Sequence, residues 1–235
     1  MGKFTKLDTI LYPDLNVVYT NYGVNAFKNQ NISMLKNIKQ KFGTYIEKWG
    51  NLLEIDSSVL ICFIAIESNG KEGLKPNGAE ATGLCQVTPV AVRETISKFK
   101  TITKNQLSPE ILNYINSKTP YLTALTPSKQ DITATQKKQL LELLTNDAEY
   151  NILMGAISLR WLFEYLKYDG KAHLNRAIIG YNQSAYGRIS AYKNKKVTTQ
   201  ELYTDTKIPK ETRNYLAKLL GVDGFSSLTI ENKIY

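Results

Sequence analysis

An uninterrupted apolar run from Val59 to Ile66 constrains the fold more than any other feature of the sequence. Such a run is typical of either a buried strand or a buried helix, because periodicity alone does not separate the two. Its flanks favour a helix: Asp56 and the two serines after it are good N-cap residues, and Gly70 is a stop signal. We therefore predict a buried helix from about Ser58 to Ser68.

This helix carries one carboxyl group, that of Glu67, in its last turn. The C-terminal end of a helix dipole is negative and apolar neighbours exclude water, so both effects disfavour the charged form and raise the pKa. A carboxyl group that stays protonated near neutral pH can act as a general acid. Glu67 is therefore the candidate acid, and the alternative is a glutamate that begins a solvated loop.

Helical patterns dominate the rest of the chain, so we predict a mainly α fold. An amphipathic stripe extends from Ile32 to Trp49, and Thr88 with Pro89 has the form of a helix start. Asp147 precedes a nearly all-apolar segment ending near Tyr168, which we expect to be the central buried helix. Further helices are predicted over about 108–117, 136–144, 174–181, from 199 and over 209–219, with at most a small β-hairpin in the loop 71–81.

Composition narrows the classes of partner and site. The formal charge of +9 and the pI near 9.3 favour an anionic partner. The charge alone does not show whether that partner is a nucleic acid, a membrane surface or an acidic wall polymer. No basic arm or nucleic-acid motif stands out, so we expect no nucleic-acid partner. One histidine, His173, and two cysteines that lie far from it in sequence argue against a Cys/His hydrolase or a zinc site. We expect neither a metal nor a cofactor.

Four short motifs follow one another along the chain. They are ES at Glu67, GLCQVTP from Gly83, NILMGAISLRWL from Asn151 and AIIGYNQSAYGRI from Ala177. In this order they resemble the soluble lytic transglycosylase family of the lysozyme-like superfamily, which is related to goose-type lysozyme. That family has ES, GLMQ with a following proline, a helix with an asparagine, and AYNAG. The resemblance implies a lysozyme-like domain over residues 32–195 with an insertion at about 101–146, an N-terminal arm over 1–31 and a C-terminal helical extension over 196–235.

The resemblance also implies a chemistry. Glu67 would be the single catalytic acid/base of a peptidoglycan-cleaving enzyme. It would protonate the oxygen between N-acetylmuramic acid (MurNAc) and N-acetylglucosamine (GlcNAc), and then take a proton from the muramyl 6-hydroxyl as a 1,6-anhydro ring closes. A Tyr181 hydroxyl near Glu67 would hold the carboxyl group in position. The residues that the resemblance assigns to substrate are Ser68, Gly83, Cys85, Gln86, Tyr181 and Asn182.

Several of these assignments have structural alternatives. Gly83 would also suit a simple turn, and Tyr181 would also suit the core. Cys85 replaces the methionine of GLMQ, and the residues after Asn182 depart from AYNAG, which loosens the match there. Two insertion residues, Tyr114 and Tyr121, would stack on sugars or serve as packing residues.

Two other functions stay open. If Glu80 directs a water molecule to the anomeric carbon, the enzyme is an inverting muramidase, although a solvated loop glutamate is the favoured interpretation of Glu80. Alternatively, the protein is a wall-binding component of a virion or secretion apparatus without turnover, which the intact ES motif argues against.

The site of action is inferred indirectly. The start of the sequence lacks the pattern of a secretory signal, and no apolar run approaches the ~20 residues that span a bilayer. Peptidoglycan nevertheless lies outside the cytoplasm. We therefore expect delivery to the wall by a phage particle, a phage lysis system or a conjugation or secretion apparatus. Residues 1–31 and 225–235 are candidate attachment segments, or else they complete the domain.

Overall fold

The computed structural model describes residues 15–18, 24–102, 107–184 and 186–235. The mainly α prediction is confirmed, and none of the described helices is long and apolar enough to cross a membrane. The elements in chain order are β1 (Leu15–Val18), α1 (Val24–Leu53), α2 (Ser57–Ser68), α3 (Pro89–Ile102), α4 (Pro109–Lys118), α5 (Pro120–Thr123), α6 (Ala134–Asn146), α7 (Ala148–Tyr165), α8 (Leu174–Gln183), a 3-10 helix (Arg188–Tyr192), α9 (Thr199–Thr204), α10 (Lys210–Leu220), β2 (Gly221–Val222) and α11 (Phe225–Glu231).

Helix α2 forms as the apolar run predicts. The Asp56 side chain caps its first turn by accepting a hydrogen bond from the Ser58 amide at 2.9 Å. The helix ends at Asn69, whose left-handed backbone (φ +53°) takes the cap position next to Gly70. Helices α1, α10 and α11 pack around α2, so its apolar side chains from Val59 to Ala65 are buried and Ile66 is partly buried.

Helix α7 is the central buried helix, as predicted. Every residue from Tyr150 to Phe163 is buried, and the helix packs against α1, α3, α6 and α8. Asp147 caps it by accepting from the Tyr150 amide at 2.9 Å. The helix ends at Tyr165, three residues before the predicted end.

One local prediction was wrong. Helix α1 already begins at Val24, so residues 24–31 are helical and do not belong to an irregular arm; residues 1–14 and 19–23 lie outside the described residues. The loop 71–81, for which at most a small hairpin was predicted, contains no strand, and a β-bridge joins Thr82 and Val87 just after it. Strands β1 and β2 instead pair in parallel, with Leu15 opposite Gly221.

The C-terminal segment is part of the core. Phe225, Leu228 and Ile234 are each at most 3% exposed, and α11 packs directly on α2. This burial supports the interpretation that residues 225–235 complete the domain, because their apolar side chains are already covered by the fold.

The described part of the predicted insertion packs on the outside of α1, α3 and α7. The Tyr114 ring lies 4.9 Å from the Trp49 ring, and the Tyr121 hydroxyl donates to the Gln136 carbonyl at 2.9 Å. These contacts favour packing roles for both tyrosines. Residues 103–106 lie outside the described residues.

Candidate active site

Glu67 sits in the last turn of α2 with its carboxyl group only partly exposed. Burial raises its pKa from the ordinary 4.5 to about 7, the direction predicted from the sequence. A hydrogen bond from the Tyr215 hydroxyl to Oε1, 2.5 Å long, and the positive charge of Lys218 act in the opposite direction. A large fraction of the Glu67 carboxyl groups is therefore protonated at neutral pH.

The tyrosine that holds Glu67 is Tyr215, and the prediction that Tyr181 does so was wrong. The Tyr181 hydroxyl donates to the Cys85 carbonyl at 2.8 Å, and its ring packs edge-on against Phe63 at 5.1 Å. Helix α8 therefore contacts α2 through the Phe63 ring and the following loop through the Cys85 carbonyl.

A signal for Tyr215 was present in the sequence. Tyr215 follows the buried Thr212 by three positions and precedes the buried Leu216 and Leu219 on the amphipathic helix α10. A tyrosine beside such an apolar stripe buries its ring and needs a hydrogen-bond partner for its hydroxyl. The identity of that partner, 148 positions away, was not readable from local pattern.

The loop after Glu67 is fastened to α7 by Asn151. Its Oδ1 accepts from the Cys85 amide at 2.7 Å, while its Nδ2 donates to the carbonyls of Thr82 and Leu144 at 3.0 and 2.7 Å. Asn151 is 1% exposed, so these bonds satisfy its amide completely away from water. The asparagine of the third motif therefore positions the loop of the second.

Gly83 is required by this packing. Its φ is +71°, and a Cβ built there would lie 2.2 Å from Asn151 Nδ2 and 2.3 Å from the Leu144 carbonyl oxygen. The structure thus supports the turn interpretation of Gly83 and does not bring it to a substrate surface.

Ser68 and Cys85, both assigned to substrate, are buried packing residues. The Ser68 hydroxyl donates to the Ile64 carbonyl at 2.9 Å and accepts from the Gly70 amide at 3.2 Å, which supports the turn after α2. Cys85 is 3% exposed, and its side chain is so close to Gly155 that a Cβ on that glycine would lie 2.5 Å from Cys85 Cβ. Cys85 therefore packs the loop onto α7.

The other three assigned residues, Gln86, Tyr181 and Asn182, line one open cavity of about 260 Å³ between α3, α7 and the end of α8. The described residues that line this cavity do not include Glu67, but Tyr181 does line it, and its ring packs on Phe63 of α2, one turn before Glu67. The Gln86 amide donates to the Gly83 carbonyl at 2.8 Å, and Asn182 Oδ1 accepts from the Thr212 hydroxyl. Three of the six residues assigned to substrate therefore share one cavity.

Aromatic side chains also line the cavity, although the sequence interpretation placed Trp161 only in the central buried helix, where it is 6% exposed, and gave Tyr186 no role. Trp161 lines the cavity and stacks on Tyr165 with ring centroids 5.1 Å apart, and Tyr186, 46% exposed, meets Tyr165 edge-on. Within the described part of the chain, the indole nitrogen of Trp161 and the hydroxyl of Ser158, another lining residue, are buried without a hydrogen-bond partner. Aromatic faces with nearby unsatisfied polar groups suit a sugar ring.

Glu80 lies in a separate environment. Its carboxylate forms a 2.7 Å ion pair with Lys137 of α6, and both side chains are substantially exposed. The turn that carries it is held by the Asn77 side chain, which accepts from the Ala79 and Ala81 amides. The structure therefore ties Glu80 to the predicted insertion.

We expect the Tyr215→Phe variant to raise the pKa of Glu67 further above about 7. The hydroxyl stabilises the carboxylate form, and a hydrogen bond to a charged group contributes roughly 1.5 kcal/mol or more, which corresponds to about one pH unit. Carboxyl-selective NMR titration would measure the change. A Tyr45→Phe control on α1 should leave this titration where it is, and an unaltered pKa in Tyr215→Phe would contradict the assigned role.

Comparison with known protein families, curated proteins and solved structures finds no match to this chain. The functional assignment therefore depends on the motifs and on the site. The site combines a carboxyl group that titrates near neutral pH, a tyrosine that orients it, and a cavity with aromatic and amide groups.

Proposed function

We propose that the protein is a lytic transglycosylase that cleaves the MurNAc-β-1,4-GlcNAc bond of peptidoglycan with Glu67 as the only acid/base. The observation that carries this proposal is the environment of Glu67, a partly exposed carboxyl group at the end of a buried helix that accepts a hydrogen bond from Tyr215 and has a pKa raised to about 7. A general acid works best when its pKa is close to the working pH.

In the proposed reaction the glycan strand lies along the cavity, with sugar rings against Trp161 and Tyr186. Glu67 gives its proton to the glycosidic oxygen as the bond to the anomeric carbon breaks, and GlcNAc leaves as an alcohol. The 2-acetamido group of MurNAc stabilises the positive charge that develops at the anomeric carbon. Tyr215 holds the resulting carboxylate through its hydroxyl.

The second half of the reaction restores the acid. The Glu67 carboxylate takes the proton of the muramyl 6-hydroxyl, whose oxygen attacks the anomeric carbon and closes the 1,6-anhydro ring. One carboxyl group therefore serves both steps, with no net gain or loss of protons. Because Glu80 is paired with Lys137, its carboxylate is engaged elsewhere, which favours this reaction over water attack.

The product distinguishes the transglycosylase from the inverting muramidase. Mass spectrometry of purified peptidoglycan after digestion should show muropeptides ending in 1,6-anhydro-MurNAc, and Glu80→Gln should give the same products. Reducing-end muropeptides without any anhydro product would instead establish the hydrolase, and Glu80→Gln would then be expected to slow it.

The proposed chemistry makes the activity depend on pH. We expect kcat/KM to fall as the pH rises through about 7, because the form of Glu67 that donates the proton is lost there. Well above that pH the rate should decrease by about tenfold for each pH unit. Muropeptide release measured from about pH 5 to about pH 9 tests this. A rate that stays level across pH 7 would show that Glu67 is not the proton donor.

The route to the wall is a separate proposal. A phage particle, a phage lysis system or a secretion apparatus would carry the enzyme to its substrate. Detection of the protein in purified virions by immunoblotting would support the first of these, and its absence from intact particles would exclude it.

A further inference from the structure

A second polar group on helix α10 faces Glu67. Lys218 follows Tyr215 by three positions, so the two side chains lie on the same face of the helix. Tyr215 donates its hydrogen bond to Glu67 from that face, and α10 packs against α2. The position of Tyr215 therefore also places the Lys218 ammonium group on the Glu67 side of the helix.

Lys218 is partly buried in surroundings that do not neutralise it. Its Nζ lies 5.4 Å from the centre of the buried Phe225 ring, and burial lowers its pKa. Within the described residues, Lys218 forms no direct ion pair, and Glu67 is the charged group that acts on it. Withdrawing an ammonium group from water is costly unless an anion compensates it.

The other titratable groups that face Glu67 are neutral. These are Tyr215, Tyr181 of α8 and Cys85 of the loop, and burial raises the pKa of each of them well above neutral pH. Lys218 is therefore the one charged group that acts on Glu67 in the described part of the chain. A positive charge near a carboxyl group favours its ionised form.

We propose that Lys218 is a positioning residue whose ammonium group stabilises the carboxylate that Glu67 becomes after it has given its proton to the glycosidic oxygen. This inference rests on the proposed function. Lys218 itself gains and loses no proton in the reaction. Its charge is compensated only when Glu67 is ionised, so its stabilisation is concentrated in the step in which the carboxylate forms.

The test compares Lys218→Met, which keeps most of the length of the side chain but removes the ammonium group, with Lys218→Arg, which keeps the charge. In Lys218→Met we expect the pKa of Glu67, measured by carboxyl NMR titration, to rise by about one pH unit, and kcat to fall by about tenfold with little change in KM. Lys218→Arg should stay close to the wild type in both measurements. A Lys210→Met control removes an exposed lysine from the same helix and should change neither.

A purely structural role predicts a different outcome. Lys218 lies in the last turn of α10, where any cation stabilises the helix dipole. If that were its only role, Lys218→Met would lower the unfolding midpoint while the Glu67 titration stayed unchanged, and the proposal would be overturned. If the wild-type protein releases no muropeptides, the proposed function is refuted. The expected effect of Lys218 on kcat is then refuted with it. The NMR titration does not depend on turnover, so the two failures are distinguishable.

Discussion

Replacement of Glu67 by glutamine is expected to reduce wall cleavage by at least about a hundredfold and by as much as ten-thousandfold, the range that general acid–base catalysis contributes. Glutamine keeps the size and the hydrogen-bonding capacity of the side chain but has no proton that it can give to a glycosidic oxygen. Release of soluble muropeptides from purified peptidoglycan measures the effect.

The matched control is Glu72→Gln, which removes an exposed carboxylate from the loop that follows α2. It should retain wild-type activity. A Glu67→Gln variant that is as active as this control would contradict the assignment of Glu67. A variant that still binds peptidoglycan but does not cleave it would show that Glu67 acts in the reaction itself.

The same substitution should make the protein more stable at alkaline pH. The pKa of Glu67 rises from 4.5 to about 7 on folding, so the folded state binds this proton more tightly than the unfolded state. The free energy of unfolding of the wild type therefore decreases as the pH rises from about 4.5 to about 7, by up to roughly 3 kcal/mol, and this loss is complete above pH 7. Glu67→Gln removes this contribution, so urea unfolding at about pH 8 should show the variant to be more stable than the wild type.

Features that depend on neighbouring residues could be predicted from the sequence. The apolar run and Asp56 define α2, Asp147 defines the start of α7, and the position of Glu67 at the end of a buried helix gives the direction of its pKa change. In each case the cap, the apolar side chains and the functional group lie within one helix. Local physical rules are then sufficient.

Features that depend on distant segments could not be predicted in the same way. The parallel pairing of β1 with β2 joins two short segments about two hundred residues apart, and neither has a strand pattern of its own. The Tyr215 contact likewise depends on α10 packing on α2, which no motif near Glu67 specifies.

Membership of a motif does not show what a residue contacts. Ser68, Gly83 and Cys85 belong to motifs of the site, yet they are buried residues that stabilise the turn and the loop. A motif in the sequence does not separate residues that touch substrate from residues that position them.

The loop that carries Gln86 depends on Gly83, and Gly83→Ala should therefore destabilise the protein by about 3 kcal/mol or more. The left-handed backbone alone costs a residue with a side chain roughly 1 kcal/mol. The added methyl group would also overlap Asn151 Nδ2 and the Leu144 carbonyl, so that the amide that holds Thr82, Leu144 and Cys85 must move. Buried groups that lose their partners cost about 1–3 kcal/mol each.

Comparison with Gly73→Ala separates the cost of the left-handed backbone from the cost of the overlap with Asn151. Gly73 has a similar φ, +63° compared with +71° for Gly83, but a Cβ at Gly73 meets nothing within 4 Å. Both alanine variants therefore carry the backbone cost, and only Gly83→Ala disturbs Asn151. Urea unfolding should show a decrease of about 1 kcal/mol for Gly73→Ala and a decrease at least about 2 kcal/mol larger for Gly83→Ala. Equal decreases in the free energy of unfolding would mean that the Asn151 side chain can move without loss of stability. Its three hydrogen bonds would then not be what holds the loop on α7.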